Sequence, residues 1–286
     1  MNKTLMQMMI VAGMLASAGA QAIAINGNLA DWGVKHTGQP SDWTPHPGIL
    51  STVEDQSGSG SYYLNPGWGG QAYDAEAMYV TWNANYLYIA IATGHNPNTV
   101  NNPGGNSFGA GDIAIDFGLN GTWDYGIELL GSANTTKAHV YSGVNWNYGL
   151  WKPDGSYVGS LFGNLATVDR AHPTSILSGT DLSTTTATTG TVAYTDPLHG
   201  ENNYGAKASD LHYFYEVMVP IAAFGSDWGP GAQFNIHWTQ NCANDSISVT
   251  GRYSAGDTAQ VPEPGTLALL PLGLLGLAAL RRRIKA

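Results

Sequence analysis

The fold is decided by residues 77–92, which read AMYVTWNANYLYIAIA. This stretch holds two runs rich in β-branched and aromatic residues, Ala77–Trp82 and Tyr86–Ala92. The three residues between the runs, Asn-Ala-Asn, form a short polar connection that is typical of a β-hairpin. Every second residue of the second run is aliphatic, at Leu87, Ile89 and Ile91. This period of two predicts one strand face in the core and an opposite face that carries tyrosines.

Segments of the same kind follow on the C-terminal side of this hairpin. Glycine accounts for 37 of 286 residues and charged residues for only 11%, a composition that favours short strands and many turns. The other runs predicted as strands are Asp112–Phe117, Thr122–Leu130, Lys137–Ser142, Val144–Leu150, Leu211–Val219, Gln233–Thr239 and Ser246–Arg252. Together they predict one all-β, antiparallel domain over residues 25–260.

Residues 155–194 interrupt this pattern. They show no clear period and contain a threonine-rich tract, Thr184–Thr191. A polar segment of small residues buries too little apolar surface to offset the entropy lost on ordering it. We therefore expect residues 155–194 to form an exposed insertion in the domain.

The N-terminus has the three parts of a secretory signal peptide. Lys3 supplies a positive charge, Leu5–Ala18 is apolar, and Ala20-Gln21-Ala22 is a small-x-small cleavage site. Ala22-Ile23-Ala24 is a rival cleavage site of the same type. Residues 1–22 are therefore predicted to be a helical signal peptide that is removed from the mature protein.

The last 26 residues also have a fixed order of parts. A Pro-Glu-Pro corner at 262–264 should end the folded domain, and the apolar run Leu267–Leu280 follows it. As a helix, this run would span ~21 Å, less than the ~30 Å of a bilayer core, so it predicts a short transmembrane helix. The basic tail would then stay on the cytoplasmic side. A buried terminal helix of the domain would suit the length but not the flanking proline and arginine residues.

This C-terminal segment resembles the PEP-CTERM sorting signal of Gram-negative bacteria over Val261–Arg283. The residues that carry the resemblance are Val261, Pro262, Glu263, Pro264, Arg281, Arg282 and Arg283. The resemblance implies export, transient anchoring in the inner membrane and cleavage near Pro-Glu-Pro by an exosortase. It further implies delivery to the cell surface or to an exopolysaccharide matrix.

Two segments of the body resemble DOMON-like and family-9-type carbohydrate-binding modules. Residues 25–32 read INGNLADW, similar to an I-D-G-x-L-x-D-W opening with Asn26 in place of aspartate, and residues 215–220 read YEVMVP. Those modules are antiparallel β-sandwiches, so the resemblance implies this fold for the body. Residues 238–245, WTQNCAND, also resemble a segment common in exported proteins that bear the same tail.

The body is strongly acidic. Without the two targeting segments it holds 20 acidic and six basic residues, a net charge near −14. Nucleic acid is excluded as a partner because backbone binding needs clustered lysine and arginine. The acidity suits either a calcium ion with oxygen ligands or simple solubility. Cys242 is the only cysteine, which excludes an intrachain disulfide and favours a buried structural thiol.

A calcium site is predicted at the start of the hairpin. Asp74 and Glu76 are two residues apart, so they should share one strand face at a Cα separation of ~6.6 Å, together with Met78. Carboxylates beside apolar surface are costly unless they are paired or coordinated. Glu54 and Asp55 are the additional candidate ligands. The alternative is that backbone amides satisfy these carboxylates by hydrogen bonding.

Aromatic residues supply candidates for glycan binding, since exposed rings can stack on sugar faces. The candidates are Trp68, Trp146, Tyr148 and Trp151. A hydrolase is less well supported, because the G-x-S-x-G match at Gly105–Gly109 lies in a loop and not between a strand and a helix. We expect a non-enzymatic surface or matrix protein, with a calcium-assisted carbohydrate-binding module as the alternative and a secreted glycan hydrolase as the weaker one.

Overall fold

Antiparallel strands make up most of the part of the chain that the computed structural model describes, which is residues 22–55, 70–129, 137–150, 172–185, 187–243 and 245–253. The strands are β1 (Leu50–Val53), β2 (Ala75–Trp82), β3 (Tyr86–Thr93), β4 (Ile113–Phe117), β5 (Tyr125–Glu128), β6 (Lys137–Asn147), β7 (Ser175–Asp181), β8 (Gly190–Tyr194), β9 (Tyr213–Pro220), β10 (Gln233–Thr239) and β11 (Ser246–Arg252). Short 3-10 turns lie at Ala30–Trp32, Pro40–Trp43, Gly70–Tyr73, Pro103–Gly105 and Ile221–Asp227. The predicted all-β class is confirmed.

The strands form one nearly closed sheet. Their order is β1-β2-β3-β9-β8-β6-β5-β4-β10-β11, and β7 pairs with β6 beside this path. Strand β6 joins the two halves of the sheet, because Ala138 pairs with β8 while the following residues pair with β5. The two ends of the path also meet, since the Thr52 hydroxyl on β1 donates to the Ser248 carbonyl on β11 at 2.6 Å.

The hairpin predicted from residues 77–92 is confirmed. Strands β2 and β3 pair in antiparallel register, with Trp82 opposite Leu87 next to the turn. The aliphatic face of β3 is fully buried in a core to which both halves of the sheet contribute. Most of the opposite face of the hairpin is buried as well, because the segment before β1 covers it. The hydroxyl of Tyr79 on β2 donates to the Trp43 carbonyl at 2.8 Å, and Trp32 packs against the Tyr79 ring.

The expected exposed insertion at 155–194 differs from the structure in its described residues. Strand β8 lies inside the sheet between β6 and β9, and its Val192 is only 1% exposed. Strand β7 is mostly exposed but pairs with β6. Two backbone amides donate to the buried Asp112 carboxylate: that of Ile176 in β7 and that of Leu129, which directly follows β5. Residue propensity does not predict these strands, because backbone pairing, and for β8 also burial, holds them in place rather than their threonine and serine side chains.

The N-terminal segment of the body is fastened to β9 by a single carboxylate. Oε2 of Glu216 accepts the amides of Asn26, Gly27 and Asn28 at 2.9, 2.5 and 3.1 Å. Oε1 accepts the indole N–H of Trp32 at 2.7 Å. The two segments singled out in the sequence, 25–32 and 215–220, are therefore partners in the fold.

The described residues from Ala24 to Tyr253 belong to one compact unit. The predicted signal helix at 1–22 and the predicted transmembrane helix at 267–280 lie essentially outside the described residues. Within the described ranges, no helix has the length and apolar character needed to cross a membrane.

Candidate functional site

The four predicted calcium ligands gather around the start of β2. Glu54 and Asp55 directly follow β1, Asp74 precedes β2, and Glu76 lies within it. The Glu54 amide donates to the Glu76 carbonyl at 2.8 Å, which ties the two strand ends together. The four residues selected from the sequence are therefore neighbours in the structure.

A β-bulge changes which way these side chains point. The register of β2 against β3 shifts between Ala75 and Ala77, so Glu76 is an extra residue on β2. Ala75 and Met78 both belong to the core cluster, although an uninterrupted strand would put them on opposite faces. The expectation that Glu76 shares the face of Met78 is therefore wrong.

Glu76 is buried within a hydrogen-bond network. Its Oε1 accepts the Gln71 side-chain amide at 2.8 Å and lies 3.2 Å from Nε2 of His212. The side chains of Glu76 and His212 are only 3% and 2% exposed. Because an imidazole is placed against this carboxylate, its negative charge has a protein partner within reach.

Asp74 belongs to a second part of the same network. Its carboxyl is hydrogen-bonded to Asp245, which lies between β10 and β11. Asp245 also accepts the amides of Ala75 and Ser246 at 2.6 and 2.8 Å. Burial raises the pKa of Asp245 and the charge of Glu76 adds to this, while these hydrogen bonds oppose the rise. Two hydrogen-bonded carboxyl groups must share a proton, so Asp74 and Asp245 act as a pair.

The pKa of Glu54 reflects the other carboxyl groups that lie close to it. Burial, together with the negative charges of the neighbouring Asp245 and Glu76, raises its pKa from 4.5 to about 7. Asp55, by contrast, accepts the Ala206 amide with both oxygens, at 3.1 and 2.9 Å. One backbone amide, that of Ala206, therefore satisfies Asp55, which is the hydrogen-bonding alternative to a metal.

The network as a whole links strand ends that are distant in the sequence. It joins β1, β2, the start of β9 through His212, and the turn before β11 through Asp245. Across the described ranges, no group of three or more histidine, cysteine, aspartate or glutamate side chains is arranged to hold a metal ion. The chemistry that this arrangement supports is proton sharing and hydrogen bonding at the place where the sheet closes.

The predicted glycan-binding aromatics do not form a platform within the described residues. Trp146 is only 6% exposed, and a Cβ added to Gly126 would lie 2.9 Å from its ring, so the ring packs closely over β5. Trp146 is therefore not an exposed ring on which a sugar could stack, contrary to the expectation. Tyr148 is half-buried. Trp68 and Trp151 lie outside the described residues.

The hydrolase match at 105–109 has the geometry of a loop. Ser107 follows the 3-10 turn Pro103–Gly105, and its hydroxyl donates to the Val100 carbonyl at 2.7 Å. A nucleophile elbow would instead place the serine between a strand and a helix.

Sequence reasoning missed two members of the carboxylate network, His212 and Asp245. Asp245 lies at the end of the segment WTQNCAND, which was already singled out as a motif. That motif was the available signal for Asp245. Nothing comparable marks His212.

The described residues form a mostly β domain. The comparisons with known proteins recognise the tail instead: residues 260–283 match the PEP-CTERM protein-sorting motif. This motif implies an exported protein that is sorted by an exosortase and carries a transient membrane-anchoring signal at its C-terminus. No curated protein and no solved structure matches the chain.

Proposed function

We propose that the protein is a non-enzymatic component of the cell surface or of the exopolysaccharide matrix of a Gram-negative bacterium. In this proposal the tail holds the body at the inner membrane until an exosortase cuts near Pro262, and the body is then released outward. The observation that carries the proposal is the sorting motif at residues 260–283. The short apolar run supports a temporary anchor, because its ~21 Å helix would be a poor permanent span.

For the body we propose an antiparallel β-sandwich of the DOMON-like type. Two observations support this assignment. The core is built from both halves of the sheet, which β6 connects on one side. The segments 25–32 and 215–220, which suggested the resemblance, are joined through Glu216.

Calcium binding at Glu54 is the second proposal. Burial and the negative charges of Asp245 and Glu76 together raise the pKa of Glu54 to about 7. A divalent cation beside it would offset this repulsion. Exopolysaccharide is the expected partner, with Tyr148 as the described member of the candidate glycan contact.

One experiment on the exported, processed protein separates these functions. The protein is incubated with purified exopolysaccharide, with calcium or with chelator, and both co-sedimentation and newly released reducing ends are measured. We expect co-sedimentation without reducing ends, and a calcium-dependent increase that Glu54→Gln removes. Tyr148→Ala should weaken co-sedimentation, whereas Tyr86→Ala, a half-buried tyrosine on β3, serves as the matched control. Release of reducing ends would contradict the non-enzymatic role, and equal binding in chelator would contradict the calcium role.

A further inference from the structure

Two histidine side chains meet on the outer face of strand β10. His237 lies on β10 between Ile236 and Trp238, which both belong to the core cluster, so its side chain points away from the core. His172 lies shortly before β7 and is half-buried. Nδ1 of His172 is 3.3 Å from Nε2 of His237, and the two rings are stacked with their centroids 4.8 Å apart. Two imidazole nitrogens therefore face each other outside the carboxylate network.

His237 has the kind of hydrogen-bond partner that metal-binding histidines use. Ser248 lies directly opposite His237 on β11, and its hydroxyl oxygen is 2.9 Å from Nδ1 of His237. When Nδ1–H donates to this hydroxyl, the lone pair of Nε2 is left to face His172. Histidines that bind a metal typically donate their second ring N–H to a neighbouring acceptor in this way. The Trp123 ring also packs against His237, with centroids 5.2 Å apart, and His237 is only 1% exposed.

His172 is positioned by its own chain segment. Two residues further on, the Thr174 amide donates to the Asn147 carbonyl at 2.8 Å, and the Thr174 carbonyl accepts the Asp112 amide at 2.7 Å. These bonds connect the segment to the end of β6 and to the residue before β4. Because the segment is already ordered, little conformational freedom would be lost when His172 binds a ligand.

The distance between the two nitrogens matches that of a metal site. Nitrogens bound to one tetrahedral zinc ion at ~2.0–2.1 Å lie about 3.3–3.4 Å apart. Nδ1 of His172 and Nε2 of His237 already have this separation. In the metal-free protein a proton lies between them, and a metal ion would take its place while His172 carries its proton on Nε2 instead. Imidazole ligands suit Zn²⁺, Cu²⁺ and Ni²⁺, whereas Ca²⁺ prefers oxygen.

We propose that His172 and His237 together bind one divalent transition-metal ion, with Zn²⁺ and Cu²⁺ as the best-suited ions. Among the described residues, no third histidine, cysteine, aspartate or glutamate joins them to form a metal-binding group, so water fills the remaining coordination positions. The net charge of the body, near −14, favours the approach of a cation. This site is separate from the calcium proposed at Glu54 and does not depend on the proposed function.

The test is calorimetric titration of the purified full-length chain, without an affinity tag, with Zn²⁺. We expect one saturable site that excess Ca²⁺ does not block. His172→Ala and His237→Gln should each abolish this binding. His199→Ala is the control, because it removes an exposed histidine that also has a neighbouring carboxylate, Asp196. Ser248→Ala should weaken binding about tenfold, and Ser248→Thr, which keeps the hydroxyl, should restore it.

The other outcomes would overturn the proposal. These are the absence of saturable Zn²⁺ binding to the wild type, binding that persists in His172→Ala, and an equal loss in His199→Ala, which would indicate binding by surface imidazoles. Should His237→Gln fail to fold, the wild type with less than one equivalent of Cu²⁺ decides. Its electron paramagnetic resonance spectrum should show splitting from two imidazole nitrogens, and splitting from fewer would contradict the histidine pair.

Discussion

At the scale of single residues, Glu54 shows how crowding sets the pH response. Its proton is bound more tightly in the folded protein, with a pKa of about 7, than in the unfolded chain, where glutamate titrates near 4.5. The free energy of unfolding should therefore fall as the pH rises between these two values, because the folded state holds more protons. Asp112 and Glu216, whose pKa values burial also raises to about 7, act in the same direction.

The Glu54→Gln substitution removes the contribution of Glu54 to this pH dependence of the free energy of unfolding. The glutamine stays neutral at every pH, so we expect the variant to be more stable than the wild type at pH 8, by about 1 kcal/mol after allowance for solvent screening of this half-exposed group. At pH 4 the two proteins should differ little. Thermal unfolding at both pH values measures this, with Asp210→Asn as the charge-matched control. A wild-type stability that rises from pH 5 to pH 8 more steeply than that of Glu54→Gln would contradict the assignment.

At the scale of elements, the attachment of residues 25–32 to β9 depends on a glycine. Gly27 has a φ of +80°, its amide donates to Glu216, and a Cβ built on it would lie 2.3 Å from the Tyr194 carbonyl oxygen. That contact is with backbone and cannot be relieved by moving a side chain. The N-terminal segment therefore needs glycine both for its conformation and for its closeness to β8.

Gly27→Ala tests this attachment. Gly48 provides the matched control, because its φ of +91° is similarly left-handed but no heavy atom lies within 4 Å of its added Cβ. Both variants should lose about 1 kcal/mol through backbone strain. Gly27→Ala should lose about 2 kcal/mol more through the steric clash. Chemical denaturation measures both values, and equal losses would show that the close approach to Tyr194 has no energetic weight.

The elements also show what a sequence can and cannot predict. The hairpin of residues 77–92 was predictable because its alternation and its polar connection are local. Strands β7 and β8 were not, because their side chains favour loops and only their pairing with β6 and β9 makes them strands. The bulge at Glu76 could not be predicted either, because one extra residue does not change the composition of the strand.

The candidate site was predictable in part on the same physical grounds. Carboxylates near a strand start were visible in the sequence, and four of them do lie close together. Their partners His212 and Asp245 come from segments more than 130 residues away, so only the closure of the sheet brings them together. Trp146 was misjudged because an aromatic residue on a strand has the same sequence pattern whether its ring is buried or exposed.

At the scale of the whole molecule, different observations support the sorting tail and the folded body. The tail is recognised by its motif, and the body is held together by its core, by Glu216 and by the network around Asp245. A body with net charge near −14 is well suited to stay soluble once released. We therefore expect the body to be released from the membrane rather than to stay in it.

Intact-mass measurement of the exported protein tests release most directly. We expect a mature chain that ends near Pro262, without the apolar run and the arginine cluster that follow it. Pro262→Ala combined with Pro264→Ala should instead leave the tail attached and the protein in the membrane fraction. Recovery of the wild-type protein outside the cell with its C-terminus intact through Ala286 would rule out release by cleavage near Pro262.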